Sequence, residues 1–122
     1  MKRPMPAFKQ GDVIKVPFPY TDRPTRQSRP ALVVSTGEPE RLHGLLWVVM
    51  ITSAGNRAWP EDVPVSDLKR AGLPFPSVIR PAKIATIEAS DASKIGSVSP
   101  ARLKQVRQHF APSDAILTAQ PP

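Results

Sequence analysis

Sixteen of the 122 residues are proline, and no other feature limits the fold of this chain as much. Beyond the first turn of a helix, proline removes a backbone hydrogen bond and clashes with the turn before it. The reading therefore shifts toward strands and turns. Hydrophobic residues make up 40% of the chain and charged residues 22%, the balance of a globular rather than a disordered protein. One domain is expected over residues 1–122, with its core at about 11–110 and peripheral segments at 1–10 and 111–122.

Apolar spacing supports this reading. "GDVIKVPFPY" (11–20) alternates like a half-buried strand, opened by Gly11 and closed by Pro19. "PALVVS" (30–35) reads as a short buried strand, and "TGEPERLHG" (36–44) as a turn-rich connection. "LLWVVMITS" (45–53) is the most apolar stretch and the expected central strand. In "DVPV" (62–65), Pro64 points to an edge, because it cannot donate to a ladder. "SDLKRAG" (66–72) has a short helix pattern, with Ser66 as cap and Gly72 just past the end. "SVIRPAKIATIEA" (77–89) reads as two β segments hinged near Pro81, and "KIGSVS" (94–99) as a further strand. Ser99 then Pro100 starts a C-terminal helix with Leu103, Val106 and Phe110 on one face, and one more helical turn is expected in the tail. The expected fold class is mainly β: five to seven short strands bent into a small barrel, which removes sheet edges, plus one short and one C-terminal helix.

Seventeen Lys and Arg against ten Asp and Glu give a net charge of +7. A small basic domain suits a polyanion, nucleic acid above all, and also suits plain solubility. With no cysteine, disulfides, thiolate nucleophiles and zinc–cysteine sites are excluded. The first residues, "MKRPMPAFKQGD", have no apolar stretch behind their basic residues, and no run reaches the length of a membrane span. A cytoplasmic protein without membrane contact is expected.

Few kinds of catalysis fit. His43 and His109 are far apart with no carboxylate at ligand spacing, and Glu38, Glu40, Glu61 and Asp62 sit in turns where solvation is the simpler reading. No metal, cofactor, Ser/His/Asp triad or phosphate-binding glycine loop is expected. Arginine and hydroxyl chemistry remains. RNA carries its own nucleophile, the 2′-OH, so a protein need only neutralise charge on the pentavalent phosphate and help protons move. Arginine is always charged, and its planar fork matches phosphate oxygens; a hydroxyl at a strand end donates to the same oxyanion. Arg29 opens one strand, and Thr52 and Ser53 close another. An ordinary loop charge and an ordinary β-branched residue explain the same positions.

The sequence also resembles a known family. "GDVIKVPFPYTD…SRPALVVS" is similar to the opening of the MazF/PemK toxins of bacterial toxin–antitoxin pairs. "MITSAGN" (50–56), "PSVIRPAKIATIEAS" (76–90) and "KIGSVSPARLKQV" (94–106) resemble three further family blocks, in family order and spacing. The resemblance implies an SH3-like barrel, a homodimer, and a metal-independent endoribonuclease that cuts single-stranded RNA or mRNA and leaves a 2′,3′-cyclic phosphate. It also implies an antitoxin partner that covers the RNA groove, and operator DNA bound together with that antitoxin. Arg29 and Thr52 match the family's catalytic arginine and threonine, and Arg80 matches an arginine used by PemK-like members. RNA contacts are expected from Arg23, Arg26, Gln27, Ser53, Arg57 and Trp59, the last as a stacking ring or as a cover for the core. Two departures stand out. "TDRPTRQS" lacks the family's His or Glu, and Ala82 stands where some members carry an aspartate, so no general base is assigned. Two other functions stay open on the same fold: a CcdB-like gyrase-inhibiting toxin that binds without cutting, and a basic nucleic-acid-binding module.

Overall fold

The apolar run at 45–53 is a single strand over its whole length, β3 (Leu45–Ser53), and the rest of the sheet grows from it. The structure, a computed structural model, describes residues 7–18, 27–55 and 58–110. On one side of β3 lie β2 (Gln27–Val33) and β1 (Asp12–Phe18), then β6 (Ser93–Ser97). On the other side lie β5 (Ser77–Glu88) and the two-residue edge β4 (Val63–Pro64). The six strands run in the order β4-β5-β3-β2-β1-β6, with antiparallel pairing throughout. Pro64 sits on an edge, where its missing N–H costs nothing.

Alternation along these strands supplies two buried clusters. Val13, Leu32, Val49, Ile51 and Ile79 face one way, packed with helical residues Ala71 and Val106. Ile14, Val16, Ala31, Val33, Leu46 and Val48 face the other way, beneath Phe8, Ile87 and Ala92. Both faces are covered, so β3 reads as continuous apolar sequence rather than clean alternation. Each fully buried Val, Leu or Ile contributes about 1.5–3 kcal/mol of transfer free energy.

The expected hinge at Pro81 takes another form. Residues 77–88 form one strand, but its register against β3 jumps from Met50↔Arg80 to Val49↔Ile84. Residues 81–83 form a bulge, and the bulge bends the strand without ending it.

Helices occupy the turns. The connection expected at 36–44 contains α1 (Glu38–His43), with Pro39 in its first turn and Gly44 left-handed at its end. Its Glu40 carboxylate accepts from the Ala7 and Phe8 backbone N–H groups at 2.8 and 3.0 Å and ties down the chain entry. α2 (Leu68–Ala71) is capped by Asp67, one residue later than expected, whose side chain accepts from the Arg70 N–H. Ser99 caps α3 (Pro100–Arg107) as expected, accepting from the Arg102 N–H at 3.2 Å. The expected further turn in the tail lies outside the described residues.

The sheet curls, and α2 joins its two edges. This helix follows edge strand β4, and its backbone lies directly on β6: Ala71 packs against Gly96, and Gly72 against Ile95. The expected mainly β architecture is found: six strands form a curled antiparallel sheet, and α2 packs on β6 across its open side. Among the described residues, no helix is long and apolar enough to cross a membrane.

Candidate active site

At one end of the curled sheet, β1, β2 and β3 meet the chain leading into β5 around a pocket of about 340 Å³. Arg29 comes from β2, paired with Val16 of β1. Thr52 and Ser53 come from the last two positions of β3, paired with Val78 and Ser77 of β5. The β2–β3 register runs Ala31↔Met50, and carried two residues further it sets Arg29 across from Thr52. All three residues line the pocket. Pro30 fixes its own φ and biases Arg29 toward an extended conformation, which anchors that strand end.

Sequence reasoning had not singled out the rest of the pocket wall. Lys15, next to Pro30 in the β1–β2 register, adds a second cation. Gly72, Leu73 and Ile95 come from the seam between α2 and β6, and Pro74, Phe75 and Ser77 from the lead into β5. The described lining residues thus carry two cations, three hydroxyls and no carboxylate or imidazole. An anion is the ligand such a wall accepts. Among the described residues, no group of three or more His, Asp or Glu stands close enough to hold a metal ion.

Arg80 is placed elsewhere. Its Nε and Nη2 donate to Asp62 Oδ1 and Oδ2, both at 2.9 Å, and only 9% of either side chain is exposed. Trp59 lies on this pair: its ring centroid is 4.4 Å from the Arg80 guanidinium carbon, and its backbone N–H donates to Asp62 at 3.0 Å. Neither Arg80 nor Trp59 lines the pocket. The Asp62 carboxylate, expected to be solvated, is largely covered because it meets the planar Arg80 fork, whose guanidinium lies under the indole. Arg23, Arg26 and Arg57 lie outside the described residues, as does the side chain of Gln27, whose backbone opens β2.

The pair has a consequence for acid stability. The hydrogen bonds from Arg80, helped by the Trp59 N–H, hold the Asp62 carboxyl below its ordinary value against the opposing effect of burial. A carboxyl depressed in the folded state stabilises the fold above its unfolded value of about 3.9, and that contribution is lost as pH falls through the folded value. Asp62→Asn should therefore narrow the difference in urea midpoint between pH 7 and pH 3. An unchanged difference would show that Asp62 does not contribute to the acid transition.

The comparisons with known proteins agree with this fold. Residues 9–113 match the profile of the family described as PemK-like, MazF-like toxins of type II toxin–antitoxin systems. The chain belongs to this family. No curated protein sequence matches it, but solved MazF structures share its architecture. A chain of the Deinococcus radiodurans MazE–MazF crystal structure superimposes with a TM-score of 0.70 at 19% identity, over 86% of this chain and 94% of that one. An endoribonuclease from a mycobacterial species, in complex with its cognate antitoxin, gives a TM-score of 0.67 at 20% identity, over 94% and 98% of the two chains. The Mycobacterium tuberculosis toxin MazF-mt6 gives 0.58 at 21% identity, over 88% and 97%. At these identities the likeness establishes the PemK/MazF fold.

Proposed function

We propose that this PemK/MazF-family chain is the toxin of a type II pair and a metal-independent, sequence-specific endoribonuclease acting on single-stranded RNA. One observation carries the reading: Arg29 and Thr52, from neighbouring strands, line one cationic, hydroxyl-rich pocket. There the substrate's 2′-oxygen attacks the adjacent phosphorus, a new O–P bond forms, and the bond to the 5′-oxygen breaks. A 2′,3′-cyclic phosphate and a 5′-OH are left. Arg29 clamps the phosphate, neutralises the charge that builds on it, and donates toward the departing 5′-oxygen. Thr52 donates to a non-bridging oxygen, with Ser53 beside it. The guanidinium stays protonated and so offers no lone pair as a resting base. No carboxylate or imidazole stands among the described lining residues, so the 2′-OH proton passes to water and water returns one to the 5′-oxygen.

In this reading Arg80 and Trp59 serve the fold rather than the phosphate. The cognate antitoxin seen with the mycobacterial relative supports an antitoxin partner for this chain, with its acidic character, a homodimer and operator DNA bound by the pair as further expectations. Incubation of the purified protein with long RNA in excess EDTA should give discrete fragments with cyclic-phosphate ends. Intact RNA across varied sequences, with growth arrest on expression, would overturn the nuclease reading in favour of a toxin that binds without cutting.

A further inference from the structure

Among the pocket's described apolar side chains, one is largely exposed, and phosphate chemistry does not explain it. Phe75 is 67% exposed, yet it lines the same pocket as Arg29, Thr52 and Lys15. An exposed Phe ring gives up burial energy that the fold would otherwise gain, and the other large exposed hydrophobics among the described residues, Leu42 and Ile84, are not on this pocket. The backbone that carries the ring is also held in place. It lies between Pro74 and Pro76, whose φ angles are fixed by their own rings. The Phe75 carbonyl accepts from Ser77 Oγ at 2.8 Å, and the Pro76 carbonyl from the Ala54 N–H at 2.9 Å. These bonds tie the segment to the end of β3 that carries Thr52 and Ser53.

An aromatic ring on a tethered backbone, lining the same pocket as two cations, fits a ligand with a planar apolar face and a nearby negative charge. An unpaired nucleobase attached to its phosphate has both. We propose that Phe75 is a stacking platform for the base next to the phosphate held by Arg29, and so a positioning residue for the single-stranded substrate. This rests on the nuclease reading for its choice of ligand. Stacking of one base on one aromatic ring changes affinity by roughly tenfold to a hundredfold.

The test uses the full chain and a single-stranded 2′-O-methyl oligonucleotide, which cannot be cut. Its sequence is taken from the mapped cleavage ends, or from a random pool of equal length if no cut is found. Phe75→Ala should raise Kd about tenfold with the thermal midpoint unchanged, and in cleavable RNA the loss should appear in KM. Phe75→Tyr should restore binding, whereas Phe75→Leu, apolar without a π face, should not. An abasic nucleotide at the stacked position should weaken the wild type to the level of Phe75→Ala and leave that variant unaffected. Equal Kd for wild type and Phe75→Ala overturns the platform, as does full rescue by Leu or an effect confined to antitoxin binding. If wild type cuts RNA but Phe75→Ala binds equally well, the platform alone fails. If wild type binds with this dependence on the ring but does not cut, the nuclease reading alone fails. No RNA binding by the wild type overturns both.

Discussion

Arg29→Ala is expected to lower the rate of RNA cleavage by about 10²–10³, the usual cost of removing one positioned donor from a developing oxyanion. Arg29 is half-buried at the outer end of β2, away from the two apolar clusters, so the fold should survive the change. Arg29→Lys is the sharper comparison. It keeps the charge but loses the planar fork that meets two phosphate oxygens at once, so its rate should fall between wild type and alanine. Thr52→Val removes one hydroxyl at constant shape and should cost less, roughly tenfold. Single-turnover cleavage of a defined RNA, with circular dichroism as the check on folding, measures all three. An Arg29→Ala rate within a few-fold of wild type would remove this pocket from the chemistry.

Gly72→Ala should be among the most damaging single substitutions in the chain. Gly72 ends α2 at φ +73°, and a Cβ there would run into the Ile95 carbonyl oxygen and sit 2.8 Å from its carbon. The left-handed conformation costs a non-glycine residue about 1–2 kcal/mol, and overpacking against a backbone that cannot yield adds about 1–3 kcal/mol. A destabilisation of about 2–5 kcal/mol should appear as a lowered urea midpoint. Gly44 is the internal control, because its φ is +69° but nothing lies within 4 Å of the Cβ position. Gly44→Ala should show the backbone cost alone. Equal losses at the two sites would mean that α2 can move off β6 freely. Because Gly72, Leu73 and Ile95 all line the pocket, that seam also sets the site's shape.

The features that could be read from the chain are those written in neighbouring residues. β3 was legible because seven continuous apolar residues, Leu45–Ile51, run into Thr52 and Ser53. α3 was legible because Ser99 and Pro100 form a cap and first turn by themselves. Pro64 announced an edge, and Gly72 the end of α2. α1 was passed over although Pro39 and Gly44 mark its two ends, since six residues between turn formers look the same as a turn. Arg29 and Thr52 were singled out by strand-end position and family resemblance; that they share a pocket came from the sheet register.

What the sequence determined by itself was the mainly β class, the caps and turns, and the residue types available for phosphate chemistry, because these depend on contacts within a few residues. Tertiary structure decided the remainder, because the partners lie far apart in the chain. Asp62 takes Arg80 under Trp59, so a candidate for the phosphate is held in an ion pair away from the pocket. Gly72 meets Ile95, and a helical turn packs across the open side of the curled sheet. Phe75 is left exposed beside Arg29. No local pattern distinguishes that ring from one buried in a core, because exposure follows from which distant strands pack around it.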